Sequence, residues 1–497
     1  MPKEPGKGLK GSRLWAPTFP FNPASLPFFY GWVIVGMGTL AVVFSIPGQT
    51  MGFSVFTDIL IDELGLSRVS LSTAYCVGTV MSGFTLPFFG RLYDRVGARR
   101  MIFYSALITG LVLFYLSQVR SLLDGLDSLT GVPRAVLAFG LITLGFYMIR
   151  ASAQGVLTMT GRNTIGKWFD YHRGTAFALS GLVTSFAFSF APRGLRGMID
   201  HFGWSQSWLV MGVVTMTCMA GMGWLLVRDN PEECGLLMDG DDGKQSERPV
   251  HDDALTHRDF TRSEALRTWP FWIFNLSFGF ISLYTTAVTF HILSIAKQAQ
   301  RGEIEVIGYF VPMAFISVAT NLLMGWMSSR TRLKYLLAIM NIGALASVIG
   351  VIHLQSEGGV IAYIVGNGIA GGCFACLSGV VWPRFFGRRW LGAISGIGMS
   401  SMVIASGIGP LLFGTSLSVT GSYAPVLWGC ALVPALLILA TTFLPLAFLA
   451  TTLAFTTLAT AFLSALTAFF AIFFAFTALA FLAFLALAFF TAFLAAT

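Results

Sequence analysis

Gly90-Arg91-Leu92-Tyr93-Asp94-Arg95-Val96-Gly97-Ala98-Arg99-Arg100 places five charges, four of them basic, in eleven residues between two long apolar runs. A segment this short cannot hold a domain. Flanked in this way, it reads as a hinge loop between two membrane-crossing helices, on the face of the bilayer where Lys and Arg collect. Gly90 and Gly97 permit a tight turn and close helix approach. Asp94 can accept hydrogen bonds from a neighbouring helix N-terminus or pair with an arginine.

The rest of the chain agrees. Of its 497 residues 55% are apolar and 11% charged, with a mean hydropathy of +0.75, which leaves too little polar surface to cover a water-soluble globule. A net charge of +8 could point to nucleic acid in a soluble protein, but the basic residues fall in short segments between apolar runs, so topology accounts for them and no nucleic-acid partner is expected. Six scattered cysteines, five of them within apolar stretches, give no disulfide framework. The first apolar run, near Tyr30, is too long for a signal-peptide core, and no cleavable targeting segment is evident.

A membrane span needs roughly 20 apolar residues. Such runs recur near 30–56, 71–90, 101–119, 134–160, 174–198 and 207–227, and again near 268–293, 306–327, 335–352, 358–382, 391–417 and 425–445. The expected fold is therefore an all-α integral membrane protein of twelve transmembrane helices. Its parts are an N-terminal cytoplasmic segment 1–29, a six-helix bundle 30–228, a largely flexible central loop 229–267, a second six-helix bundle 268–445 and an apolar tail 446–497. Lys and Arg cluster in alternate connections (Arg91 to Arg100, Arg162 to Arg173, Arg330 to Lys334, Arg384 to Arg389), which places the N-terminus in the cytoplasm of a cell inner or plasma membrane. Apart from Ser464 and Ile472 the tail holds only Ala, Phe, Leu and Thr, with no charge, Gly or Pro to turn it. It is expected to be an extension dispensable to function.

The two halves echo each other, as expected of a duplicated unit. Gly325 aligns with Gly90, Ser329 with Asp94, Arg330 with Arg95, Arg332 with Gly97 and Lys334 with Arg99, so the second copy keeps the positive charge and loses the acid. Trp168 to Gly174 is echoed more loosely by Phe385 to Arg389.

The spacing of Gly90, Asp94, Arg95, Gly97, Arg99 and Arg100 resembles the signature loop between the second and third helices of the major facilitator superfamily. The resemblance implies a secondary transporter with two six-helix bundles around a central cavity. It also implies a latch between the halves built from these residues, with Gly325 and Arg330 as second-copy counterparts. Trp168-Phe169 with Arg173-Gly174, Arg228-Asp229-Asn230-Pro231-Glu232-Glu233 with Gly235, Phe271-Trp272, and Gly407-Ile408-Gly409-Pro410 followed by Gly414 are similar to the monocarboxylate porter and oxalate/formate antiporter branch.

Arg150 lies about 16 residues into the fourth run, near the bilayer midplane at ~1.5 Å per residue. Burying it costs about 2.5–3.5 kcal/mol even on the lenient insertion scale. It must be paired inside the bundle or face a water-filled cavity, and is the leading solute-binding residue. Its context, Arg150-Ala151-Ser152-Ala153-Gln154-Gly155, is similar to the family's fourth-helix Arg…Gln-Gly motif with one extra intervening residue. Gln154, Gln49 after the helix-breaking Pro47-Gly48, Tyr284, His291 and, because the family's tenth helix lines the cavity, Asn367 complete the expected binding set. Each of these is also an ordinary interhelical hydrogen bonder.

Gly161 to Lys167 has phosphate-loop spacing, but Trp168 stands where Ser or Thr would bind magnesium. Gly366-Asn367-Gly368-Ile369-Ala370-Gly371 matches a dinucleotide pattern inside an apolar span, where helix packing explains it better. Cys373 and Cys376 have redox spacing in a lipid-embedded helix, where nothing lowers a thiol pKa. No enzyme chemistry, cofactor or metal site is expected.

The function implied is transport of a small solute, most simply an organic mono- or dicarboxylate, by proton symport or exchange, with the protein a monomer in the bilayer. A neutral, zwitterionic or drug-like solute remains open, because 306–327 and 391–417 contain no Lys or Arg. A membrane sensor that binds without moving its ligand is the reading from another class.

Overall fold

The computed structural model describes residues 13–240 and 258–443; the tail expected over 446–497 lies outside them. Among the described residues the fold is all-α, with twelve helices long and apolar enough to cross a membrane. In the first half these are α1 (Gly31–Ser54), α2 (Val69–Val96), α3 (Ala98–Ser117), α4 (Arg134–Trp168), α5 (Arg173–Phe202) and α6 (Trp204–Leu226). The second half holds α7 (Trp269–Gln298), α8 (Ile304–Ser328), α9 (Leu333–Ile352), α10 (Glu357–Phe386), α11 (Leu391–Thr420) and α12 (Ala424–Thr441). The protein is a multi-pass integral membrane protein.

The opening stretch is not a loop. α2 runs helical to Val96 and α3 begins at Ala98, so Gly97 alone makes the turn, at φ +86°. Apolarity ends at the membrane surface, but helix geometry does not, and charged residues continue a helix into water at little cost. A Cβ on Gly97 would sit 2.2 Å from the Asp229 carboxylate, which lies over the turn and accepts the Arg99 backbone N–H at 2.8 Å.

The ends of the central connection are likewise docked rather than loose. Asp239 accepts the backbone N–H groups of Asp170, Tyr171 and His172 at the entry to α5, the shortest at 2.8 Å. Asp259 accepts those of Arg388 (2.9 Å) and Arg389 (3.3 Å) just before α11. Carboxylates satisfy the otherwise unpaired amides at helix starts and favour the positive end of the dipole.

α1 leaves helix after Val43 and resumes at Thr50, with the Pro47-Gly48 pair in the break. Beneath it Phe53 meets Phe146 edge-on at 4.4 Å and Tyr75 stacks on Phe53 at 5.7 Å. This packing fixes the floor on which the midplane residues stand.

Within the halves, α1 packs on α4 and α5, α3 on α6, α7 on α11 and α8 on α10. Between the halves, α2 packs along α11 and α5 along α8. Glycine makes both seams close. A Cβ on Gly90 would lie 2.1 Å from the Gly392 carbonyl oxygen, and one on Gly174 would lie 2.2 Å from that of Gly325. In lipid, where apolar side chains gain little by leaving the solvent, such backbone approach supplies the packing energy.

Candidate functional site

Arg150 stands at residue 17 of the 35 in α4 and is 1% exposed. The turns from Arg150 to Leu157 are π-helical, flanked by regular α-helix. An i→i+5 turn takes up one extra residue without breaking the helix, which is how the long Arg…Gln-Gly spacing is accommodated.

The Arg150 guanidinium donates from Nη1 to the Gly48 carbonyl in the α1 break (3.1 Å) and from Nη2 to Ser406 Oγ on α11 (3.2 Å). It lies over the Tyr75 ring at 5.2 Å. A side chain on Gly48 would exclude this arrangement, because its Cβ would be 2.7 Å from the Ile149 carbonyl oxygen. Among the described residues no carboxylate pairs with Arg150. Its Nε, and Oε1 of Gln154 one turn on, are buried without a hydrogen-bond partner. An unpaired donor and an unpaired acceptor at mid-depth are costly unless a ligand or water uses them.

Gln49 belongs to the same neighbourhood, bonded to Ser45 Oγ at 3.0 Å, and Ser45 also receives Thr158 of α4 at 3.0 Å. The other expected binding residues do not join it. Tyr284 is buried with its hydroxyl on Ser347 of α9 at 2.9 Å, and Asn367 donates to Met313 Sδ of α8 at 3.4 Å. His291 bridges the Pro410 carbonyl (2.9 Å) and the Tyr423 hydroxyl (3.2 Å). All three tie helices of the second half together.

At the basic end, Asp94 accepts from the backbone N–H groups of Gly392 and Ala393, both at 2.7 Å, in the first turn of α11. Around it α4 reaches the second half three times. Arg162 donates to Ser378 Oγ at 2.6 Å, Asn163 to Ser395 Oγ at 2.7 Å, and the Lys167 carbonyl accepts from Arg388 at 2.7 Å. The molecule is closed at this end.

Gly90 and Gly325 of the expected latch lie at the two seams, against Gly392 and Gly174, whereas its arginines stay within their own half. Arg99 donates to the carbonyls of Ala16, Phe19 and Trp224, clasping the N-terminal segment with Arg228, which bonds Pro17, Phe19 and Phe21. Burial among carbonyls pulls the Arg228 pKa down from its usual value, and burial pushes the nearby Tyr30 phenol up to about 12. Arg100 lies over Trp15, Arg330 over Trp326, and Arg95 is exposed. Ser406, Tyr75, Lys167, Glu232 and Arg388 were not singled out from sequence. Only Lys167, Glu232 and Arg388 carried a signal there, as parts of quoted stretches.

The family model described as Major Facilitator Superfamily matches residues 38–410. The chain belongs to the Major Facilitator Superfamily. No curated protein matches it significantly in sequence. It is similar in structure to a bacterial homologue of the iron transporter ferroportin in the outward-facing state. That likeness has a TM-score of 0.58 at 12% identity and covers 82% of this chain and 98% of that one. The same homologue with soaked iron gives 0.58 at 11% identity with the same coverage. At such identity the likeness is one of fold. As a major facilitator the protein is a transporter of a small solute and not an enzyme.

Proposed function

We propose that this transporter carries a small organic anion, a mono- or dicarboxylate, by proton symport or exchange with alternating access. In this reading it sits in the monocarboxylate porter and oxalate/formate antiporter branch, as a monomer with its basic end in the cytoplasm. The observation that carries the reading is Arg150, a midplane cation with no carboxylate partner among the described residues and an Nε donor left over. A charge held at that depth attracts an anion and repels a metal ion, so the iron named for the structural relatives does not suit this centre. Asp94 on the α11 N-terminus is the latch that holds the basic end shut while the opposite end admits the solute. Gln154, with a free acceptor, and Gln49 complete the binding group.

Arg150→Gln is expected to lower the apparent affinity for small carboxylates in proteoliposomes by about tenfold or more, the worth of one hydrogen bond to a charged group. Arg150→Lys keeps the charge without the planar fork and should retain part of that affinity. Uptake of the same carboxylate by Arg150→Gln with unchanged affinity and rate would make the arginine structural. A neutral or zwitterionic solute, favoured by the free Gln154 acceptor, would then be the better reading.

A further inference from the structure

Both ends of the connection between the halves meet at one residue. Arg388, in the turn between α10 and α11, pairs through Nη2 with Glu232 Oε1 at 2.7 Å and donates from Nη1 to the Lys167 carbonyl at 2.7 Å. Its backbone N–H goes to Asp259 Oδ1. It therefore touches the beginning of the connection, its end, and α4 of the opposite half.

The stretch carrying Glu232 is itself held to the first half. Asp229 lies over the Gly97 turn, Asp239 caps the entry to α5, and the Trp168 indole donates to the Arg228 carbonyl at 3.2 Å. Glu232 thus moves with the first half although it follows that half's last helix. On the other side, Asp259 and the bond from Phe260 N–H to the Phe386 carbonyl at 2.9 Å fix the far end to the second half.

We propose that Glu232 and Arg388 form a second lock at the basic end, carried by the connection between the halves and separate from the Asp94 contact, which must break each time that end opens. The lock differs from Asp94 in kind. Asp94 caps a helix dipole at the α2–α11 seam, whereas this is a side-chain ion pair joining the connection to the α10–α11 turn, with α4 as a third party. Glu232 is about half exposed and Arg388 about a quarter, so the pair is wet and weak enough to break in every cycle.

The test uses the full chain with its cysteines replaced and one reporter introduced, Thr164→Cys. Thr164 is buried on α4 at the basic end, and its hydroxyl donates to the Thr160 carbonyl of its own helix. Glu232→Gln and Arg388→Gln should each raise the rate of maleimide labelling at position 164 about two- to five-fold, the range for a partly exposed ion pair. The exchanged pair Glu232→Arg with Arg388→Glu should bring the rate below that of Arg388→Gln, short of the parent by the Lys167 contact that a carboxylate at 388 cannot make, at membrane abundance equal to the parent. The effect should also add to that of Asp94→Asn, because independent contacts combine additively. Unchanged labelling in the neutral variants, labelling of the exchanged pair no slower than that of Arg388→Gln in folded protein, or disappearance of the effect in the Asp94→Asn background would each overturn the second lock.

Discussion

Asp94 meets α11 where the helix leaves its first amides unpaired, and a full negative charge there is worth more than a neutral acceptor. Both its oxygens are used, on Gly392 and Ala393. Asp94→Asn keeps one acceptor and loses the charge, so the state closed at the basic end should lose about 1–2 kcal/mol, a shift of roughly 5- to 30-fold in the balance of states. Cysteine labelling at the two ends of the molecule checks it, with more labelling expected at the basic end and less at the other. Equal labelling with normal transport would reduce the contact to a structural cap. Arg150 was legible from sequence because a midplane cation is expensive enough to demand an explanation. Tyr284 and Asn367 were harder to place for the opposite reason: a hydroxyl or amide in a span costs little, and sequence does not reveal which neighbour it meets.

At the scale of the element, the twelve spans could be read from runs of apolar residues, but not where the helices stop. Charge marks the membrane boundary, and α2 ignores it for a further seven residues beyond Phe89, until Gly97. The docking of the central connection was hidden for a different reason. Asp229, Asp239 and Asp259 act by meeting backbone amides from distant parts of the chain, and amides carry no sequence signature. The π-helical turns of α4 lie between these cases, because the extra residue in the Arg…Gln-Gly stretch was visible but its consequence was not. Inserting an alanine after Ser152 adds a residue beyond the one these turns already absorb. It should rotate Arg150 against the Arg162 to Lys167 stretch by about 100°, the turn per residue of an α-helix. Arg150 cannot then meet Gly48 and Ser406 while Arg162 and Asn163 still meet Ser378 and Ser395. Uptake should fall by about tenfold or more, the loss of one charged hydrogen bond, with the protein still in the membrane. Wild-type uptake by the insertion variant would show that this register does not matter.

Across the whole molecule the two seams are built differently although the halves are related. At α2–α11 the loop acid of the first copy caps the opposite half. At α5–α8 the corresponding position is Ser329, and the amides entering α5 are capped by Asp239 of the central connection, which belongs to the same side of the seam. What holds α5 to α8 is packing: the Gly174 and Gly325 backbones in contact, and Asn321 donating to the Ala178 carbonyl at 2.9 Å. This seam therefore contributes through fit and an uncharged hydrogen bond, and should respond to volume where the other responds to charge. Gly174→Leu forces a side chain into the Gly325 backbone, and overpacking of this kind costs about 1–3 kcal/mol. The cost falls on the closed state, because parting the helices relieves it. The variant should label faster at the basic end by roughly 5- to 150-fold and bind solute from the opposite face more weakly. Gly279→Leu, which enters open space on α7, should do neither. If Gly174→Leu labels like Gly279→Leu at equal abundance, the α5–α8 contact is not part of the closure, and the basic end is held by α2, α4 and the central connection alone.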